Sequence, residues 1–434
     1  MFFAVRKQSI SRITRSGLFQ ISPALGTTLI GIGSYIVTAR ALGPAAFGAF
    51  IFVQWLATIT VPLIGVGMSA LTSRQIVEIQ SREPQPTIAG IFYYLWYRQC
   101  RRILLYCVVF FFLAFLLSWL FSVCTLLRLL LTGLAALPLF LSSIVGITLR
   151  SLRRLDLLGT LHLFGMLATL FLMVAATQVG GDQVEIFLLA VALAATLTLI
   201  MAVITMARLL PMKEAQPPGS YLREQLKRSF KPPLLHFILD AITWQRSESL
   251  LLALWRSPSE LAFYAISFMI STTVMQLAPM LLSGWFLPLF LRHTHNRHYL
   301  NPYDAFIKTS CYMAFVAVAF CIAITTLGPY LIIYSIGPAY LPVLEPLRIL
   351  LIAGVFGSIA TVSLTHLANH GQNTTVLGIV AAVVNVGLAI PLVAYWGMTG
   401  AAMASTVAQV ISASGSILLC RKILKRAEQK EAVL

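Results

Sequence analysis

Long apolar stretches separated by short polar segments make up most of the chain. Each stretch is long enough for an α-helix to cross about 30 Å of hydrocarbon. Because backbone polar groups find no water partners in lipid, these stretches predict helices, and they are too long for the strands of a membrane barrel. We place twelve spans at residues 17–39, 46–71, 103–123, 127–149, 157–179, 185–207, 233–254, 260–290, 305–327, 346–368, 375–395 and 400–420. The longest loop on the side opposite the termini is expected at residues 328–345.

The composition agrees with a chain that lies mostly in a bilayer. Of the 434 residues, 59% are hydrophobic and 10% are charged, whereas soluble globular chains carry about 25% charged residues. This excludes a soluble enzyme, a disordered tail and a nucleic-acid binder, although the net charge of +17 alone would favour a nucleic-acid partner.

The Lys and Arg residues lie mainly on one side of the predicted topology. The two termini and every second loop hold 26 of the 31. Such a bias marks the cytoplasmic side of a membrane protein, so we expect a multi-pass protein with both termini in the cytoplasm. The other five are Arg40, Arg128, Arg246, Arg256 and Arg348.

A polar linker at residues 208–231 lies near the midpoint of the chain and divides the spans into two sets of six. We therefore expect an N-terminal lobe at residues 1–215 and a C-terminal lobe at residues 216–434. The turns after the first and seventh spans contain Pro44 and Pro258, which are 214 residues apart. This spacing indicates that the two halves are related repeats.

Ionisable side chains are concentrated in the seventh predicted span, which contains His236, Asp240, Arg246 and Glu248. A charged side chain near mid-membrane costs about 2.5–3.5 kcal/mol on insertion scales, so it usually faces a partner or a wet cavity. Asp240 and Glu248 are also the only carboxylates expected well inside a span, and cation coupling would need one of them.

Several short motifs resemble those of a known transporter family. Residues 39–44 (Ala-Arg-Ala-Leu-Gly-Pro) are similar to the turn after the first helix in the polysaccharide or O-antigen flippases (Wzx-like) of the multidrug/oligosaccharidyl-lipid/polysaccharide exporter (MOP) superfamily. Residues 336–340, Asn385 and residues 400–402 resemble the C-terminal helices of that family. The resemblance implies an all-α polytopic membrane protein with about 12 transmembrane helices in two six-helix lobes around a central cavity. The chain departs from the family where Ser257 replaces the usual Gly before Pro258.

The resemblance also implies a function. The expected activity is translocation of undecaprenyl-pyrophosphate-linked oligosaccharide repeat units from the cytoplasmic to the periplasmic leaflet of a bacterial inner membrane. This step would serve cell-surface polysaccharide synthesis, including the O-antigen of lipopolysaccharide, by alternating access. The expected partners are this lipid-linked substrate and membrane lipids, with a polysaccharide polymerase and a chain-length regulator as further candidates. We expect a monomer without nucleic acid, cofactor or metal.

Other functions stay open at this point. A cation-coupled multidrug (MATE-type) exporter of small amphipathic molecules is the nearest alternative. A membrane glycosyltransferase would need a sizeable outer loop bearing acids or His, so we do not expect an enzyme. A scaffold without transport is a further alternative.

Arginine suits a pyrophosphate because its planar guanidinium donates paired hydrogen bonds and stays ionised. We therefore place Arg40 and Arg246 at the phosphates. An interfacial anchor is the alternative for Arg40, and an ion pair with Asp240 or Glu248 is the alternative for Arg246.

The remaining candidates for substrate binding are Asp240, Glu248, His236, Gln54, Thr38 and Trp244. The ring of Tyr264 is a further candidate for stacking on a sugar. Thr38 belongs to a stripe of small and polar residues whose alternative role is helix packing. Arg128 is expected to anchor the start of the fourth span, and Arg348 to pair with Glu345 one turn earlier.

Overall fold

The structure is a computed structural model that describes residues 2–65, 85–120, 125–180, 183–211, 247–281, 302–367 and 371–431, with the single residues 215, 217, 219 and 224. All regular secondary structure in these ranges is helical. The chain forms two compact units: the first unit is Pro23–Ile238, and the second unit is Met1–Ser22 with Leu239–Leu434. The expected lobe boundary at residues 215 and 216 falls in a sparsely described segment and stays a prediction.

The first unit contains most of α1 (Phe2–Gly65), followed by α2 (Gln85–Leu120), α3 (Leu126–Ser151), α4 (Leu155–Val179) and α5 (Val184–Leu209). Helix α3 packs against α2 and α5, and α4 packs against α5. At one end of the unit, α2 to α5 bury a shared apolar cluster that includes Leu95, Leu149, Leu158 and Met206. This cluster holds the neighbouring ends of α2, α3, α4 and α5 together.

The second unit contains α6 (Glu248–Trp255), α7 (Pro258–Leu281), α8 (Pro302–Ser335), a 3-10 helix (Pro338–Val343), α9 (Leu344–Leu367) and α10 (Gly371–Glu431). Helix α9 packs against α7, α8 and α10.

Side-chain hydroxyls hold α9 to its neighbours. Ser271 Oγ of α7 donates to the carbonyl of Leu350 at 2.6 Å, and Thr406 Oγ1 of α10 donates to the carbonyl of Ile349 at 3.2 Å. Lipid is as apolar as the helix surfaces, so such hydrogen bonds and close packing stabilise helix contacts in membranes.

The two longest helices are each broken at a glycine. As straight helices, the 64 residues of α1 and the 61 residues of α10 would measure about 96 Å and about 92 Å, roughly three times the hydrocarbon thickness. Gly43 in α1 and Gly397 in α10 have positive φ values of 69° and 55°, which L side chains disfavour. In α10 the two arms approach closely, because a Cβ at Gly400 would overlap the backbone carbonyl of Leu392. Each long helix therefore supplies two arms.

Nine helical stretches in the described ranges are long and apolar enough to cross a membrane. Two of them contain Gly43 or Gly397 and divide there into two arms. The prediction of an all-α polytopic membrane protein is therefore confirmed. Of the seventh predicted span, only residues 247–254 lie in the described ranges.

Two boundary predictions are wrong. The third helix begins at Gln85 and not at residue 103, because Ile88, Phe92 and Leu95 form a buried helical stripe despite the nearby arginines. The loop expected at 328–345 is mostly helical: α8 continues to Ser335, and the 3-10 helix follows directly after Gly337.

Candidate functional site

A buried polar cluster joins three helices of the second unit. Glu248, at the start of α6, is 1% exposed. Tyr264 Oη of α7 donates to Glu248 Oε2 at 3.0 Å, and Asn385 Nδ2 of α10 donates to Glu248 Oε1 at 2.6 Å. Ser247 Oγ lies 3.5 Å from Asn385 Oδ1 and extends the cluster. Both carboxylate oxygens of Glu248 therefore accept hydrogen bonds from neutral side chains.

This arrangement makes the cluster sensitive to the charge on Glu248. An ionised carboxylate only accepts hydrogen bonds, whereas a protonated one also donates one. Uptake of a proton or another cation by Glu248 would therefore change the hydrogen bonds to Tyr264 and Asn385. Because these residues belong to α7 and α10, the change would reach both helices.

The sequence identified part of this cluster. Glu248 was a candidate because a carboxylate in an apolar span needs a partner. Tyr264 was a candidate for stacking on sugar, but its hydroxyl is bonded to Glu248. The role of Asn385 was missed. The available signal was a polar amide inside an apolar helix, where a buried amide needs a hydrogen-bonding partner.

A second polar arrangement lies at the turn between α6 and α7. The amide of Glu260 is 3.3 Å from Ser257 Oγ, so Ser257 caps the first turn of α7 ahead of Pro258. Serine before a helix, proline at the first position and glutamate at the third are a typical helix start. Serine can replace glycine here because Ser257 does not have a positive φ. Among the described residues other than glycine, only Arg153 has one.

Residues of the same turn also form hydrogen bonds with α10 on both sides of its break at Gly397. The guanidinium of Arg256 donates to the carbonyls of Val393 (3.3 Å) and Ala394, in the last turn before Gly397. Glu260 Oε2 accepts a hydrogen bond from the amide of Met398 at 3.1 Å, just after the break. Carbonyls at a helix end and amides at a helix start lack partners within the helix. Arg256 and Glu260 supply these partners on the two sides of the break.

In the first unit, three of the predicted site residues lie on α1. Thr38 is buried, and its hydroxyl donates to the carbonyl of Ser34 at 2.8 Å. Ser34 donates in turn to the carbonyl of Ile30, which agrees with a packing role for this stripe. Arg40 is exposed and Gln54 is partly buried. Their part in substrate binding stays a prediction.

The other predicted site residues, His236, Asp240, Trp244 and Arg246, lie outside the described residues. Their roles are predictions that the structure does not address. Of the four ionisable groups in the seventh predicted span, Glu248 is the one that lies in the described ranges.

Two expectations for arginines need correction. Arg128 is not only a helix-end anchor, because its Nε lies 2.8 Å from Glu185 Oε1 and links the starts of α3 and α5. Within the described ranges, Arg348 and Glu345 are both exposed and do not form the ion pair expected of them. No set of three or more His, Cys, Asp or Glu residues in these ranges is arranged to hold a metal ion.

No protein-family model and no curated protein matches the sequence. Solved structures do match the fold. The lipid II flippase MurJ in an inward closed conformation aligns with a TM-score of 0.72 and 13% identity, covering 92% of this chain and 87% of MurJ. An inward-facing multidrug resistance MATE family transporter of the MOP superfamily aligns with a TM-score of 0.69 and 14% identity, covering 95% of this chain and 99% of that one.

A third match is a MOP superfamily transporter from Pyrococcus furiosus, described by the reverse polarity of its binding pocket. It aligns with a TM-score of 0.56 and 15% identity, covering 96% of both chains. At these identities the matches establish the fold and not the substrate. The chain has the fold of MOP-superfamily transporters.

Proposed function

We propose that this protein is a flippase that moves undecaprenyl-pyrophosphate-linked oligosaccharide repeat units from the cytoplasmic to the periplasmic leaflet of a bacterial inner membrane. It works by alternating access and serves cell-surface polysaccharide synthesis such as that of O-antigen. The observation that carries the proposal is a fold shared over 92% of the chain with a flippase for a lipid-linked substrate. The motifs around Arg40 and Gly337 support the same family.

The physical task of such a flippase is to replace the water around a pyrophosphate and a sugar chain. Desolvating a charged group costs several kcal/mol even after the protein relaxes. In the proposal, Arg40 and Arg246 bind the phosphates, and Gln54 and Trp244 contact the sugar. The further candidates for substrate binding are Thr38, His236 and Asp240. With the cytoplasm negative, outward movement of an anionic head is downhill by about 2.3 kcal/mol per charge per 100 mV. The membrane potential can therefore give the transport its direction.

The proposal also includes the orientation and the partners. The bias of basic residues supports cytoplasmic termini. A polysaccharide polymerase and a chain-length regulator would act on the product after it reaches the outer leaflet. We propose that the flippase itself works as a monomer.

A reconstitution experiment tests the proposal. Proteoliposomes contain the full chain and a fluorescent undecaprenyl-pyrophosphate-linked oligosaccharide, and a membrane-impermeant quencher reports the label that reaches the outer leaflet. We expect protein-dependent flipping that accelerates under an imposed potential. If vesicles with protein move no more label than empty ones, with or without a potential or an ion gradient, the proposal is wrong.

A cation-coupled exporter of small amphipathic molecules is the second candidate, and the buried Glu248 is the observation that favours it. A buried carboxylate can bind a proton or a metal cation, and the MATE transporter has the same fold. Under this alternative, transport depends on the charge of Glu248 and on an ion gradient.

Two variants separate these candidates. Glu248→Gln keeps the side-chain volume but removes the charge, so it abolishes gradient-driven export and leaves potential-driven flipping. Arg40→Ala weakens pyrophosphate binding and slows flipping, whereas Arg40→Lys retains part of it. Glu185→Gln is the matched control, because it neutralises a carboxylate that is bound in an ion pair at a helix end.

A further inference from the structure

The turn between α3 and α4 has a backbone conformation that its sequence does not favour. Arg153, just after the end of α3, has a φ of 56°. The other described residues with positive φ are the glycines Gly43, Gly337 and Gly397. A Cβ atom disfavours this left-handed region. Glycine at position 153 would remove that strain, yet the sequence has arginine there.

Backbone hydrogen bonds define the turn as a helix-terminating motif. The amide of Arg154 donates to the carbonyl of Leu149 at 2.9 Å, and the amide of Arg153 donates to the carbonyl of Arg150 at 3.1 Å. This is the Schellman pattern, in which the left-handed position is usually glycine. Leu149 and Leu158, on either side of the turn, are buried in the apolar cluster of the first unit. The turn is therefore fixed in position.

The turn presents three exposed arginines within five residues: Arg150, Arg153 and Arg154. Arg154 has only a loose contact with Asp156, at 3.9 Å between two side chains that are more than half exposed. Within the described residues, Arg150 and Arg153 form no ion pair. Three guanidinium groups are therefore available on one rigid turn.

Apolar surface begins directly beside these arginines. Leu155, the first residue of α4, is 43% exposed, and Met166, three turns further along the same face of α4, is 40% exposed. A ligand that matches this surface is anionic at one end and apolar beyond it. A phospholipid has this chemistry, whereas a water-soluble anion would leave the apolar part unused.

We propose that Arg150, Arg153 and Arg154, the arginine turn, bind the phosphate of an anionic phospholipid. Guanidinium groups donate paired hydrogen bonds to phosphate oxygens. Lipid binding explains why position 153 carries arginine and not the glycine that the backbone favours. A general bias of basic residues toward one membrane side would not require a cation at that strained position. The inference does not depend on which substrate is carried.

Arg153→Gly tests this proposal because its effects on stability and on binding have opposite signs. The full-length protein in neutral detergent is titrated with short-chain phosphatidylglycerol, and phosphatidylcholine serves as the reference lipid. We expect the Kd for phosphatidylglycerol to rise about fivefold, the contribution of one arginine near a membrane surface. The thermal transition should stay unchanged or rise, since the strain is relieved. Arg153→Lys, which keeps the charge, should retain most of the binding.

Arg208→Ala is the matched control, because it removes an exposed arginine from the last turn of α5, whose end packs on the same cluster. We expect it to raise the Kd less than Arg153→Gly does, because the guanidinium of Arg208 is not part of the arginine turn. Equal losses in both variants, or unchanged binding in Arg153→Gly, would overturn the proposal. Displacement of the lipid by a tenfold excess of inorganic phosphate would overturn the assignment to a phospholipid.

Discussion

The contact between Gly397 and Glu260 gives a quantitative prediction for the break in α10. A Cβ at Gly397 would overlap the Glu260 carboxylate, and the residue also has a positive φ. Gly397 has φ 55° and ψ −128°, a backbone conformation that residues with a Cβ avoid, so Gly397→Ala adds strain of about 1–3 kcal/mol. It also displaces the carboxylate from the amide of Met398, and a hydrogen bond to a charged group contributes about 1.5–3 kcal/mol.

These free-energy costs predict that the effects of substitutions at Gly397 and Glu260 are strongly coupled. Glu260→Ala alone should cost about 2 kcal/mol and Gly397→Ala alone about 3–5 kcal/mol of unfolding free energy. In the double variant the carboxylate is absent, so Gly397→Ala adds only its backbone penalty. The total should then be about 3–5 kcal/mol, roughly 2 kcal/mol less than the sum of the single variants.

The assay is equilibrium unfolding of the full chain in mixed detergent micelles, followed by tryptophan fluorescence, for the wild type, both single variants and the double variant. Gly415→Ala tests a close approach elsewhere in α10, against the side chain of Leu377, where no carboxylate is involved. It should therefore show additive behaviour with Glu260→Ala. If Gly397→Ala and Glu260→Ala are themselves additive, Glu260 does not hold the break and the reasoning is refuted.

Three further variants test other contacts in the same unfolding assay. Asn385→Leu removes a donor from buried Glu248 and should cost about 1–3 kcal/mol; an unchanged stability would show that the carboxylate does not depend on this hydrogen bond. Ser271→Ala should cost about 0.6–1.7 kcal/mol by removing the donor to Leu350. Its control, Ser249→Ala, removes a buried hydroxyl with no hydrogen-bond partner among the described residues and should cost less. Arg128→Ala should cost about 0.2–1 kcal/mol, since its pair with Glu185 is partly exposed; the cost should shrink in high salt, and a salt-independent loss would contradict the ionic explanation.

The helices of this protein could be predicted because their signal is local. An apolar run of the right length indicates a membrane helix whatever lies beside it, and the described helices agree with this. The sequence does not predict the start of α2, because Arg98, Arg101 and Arg102 favour a loop. In the structure they lie on a helix whose buried stripe includes Phe92 and Leu95.

The contacts of the site could be predicted only in part. The sequence shows that Glu248 needs a partner, but Asn385 lies 137 residues away and its position depends on how α6 and α10 pack. The start of α7 at Ser257 to Glu260 is readable as a helix cap. The second role of Glu260, accepting from the amide of Met398, is not readable, because a backbone amide leaves no signal in the sequence.

The most direct test of the central claim compares two substrates in one proteoliposome preparation. The vesicles contain the labelled undecaprenyl-pyrophosphate-linked oligosaccharide in the membrane and a small amphipathic cationic dye in the lumen. Transport of each is measured under an imposed potential and, in separate runs, under an imposed cation gradient without a potential. The proposed function predicts protein-dependent flipping of the lipid-linked oligosaccharide, slowed by Arg40→Ala, and no protein-dependent export of the dye. Export of the dye without flipping of the lipid would contradict it.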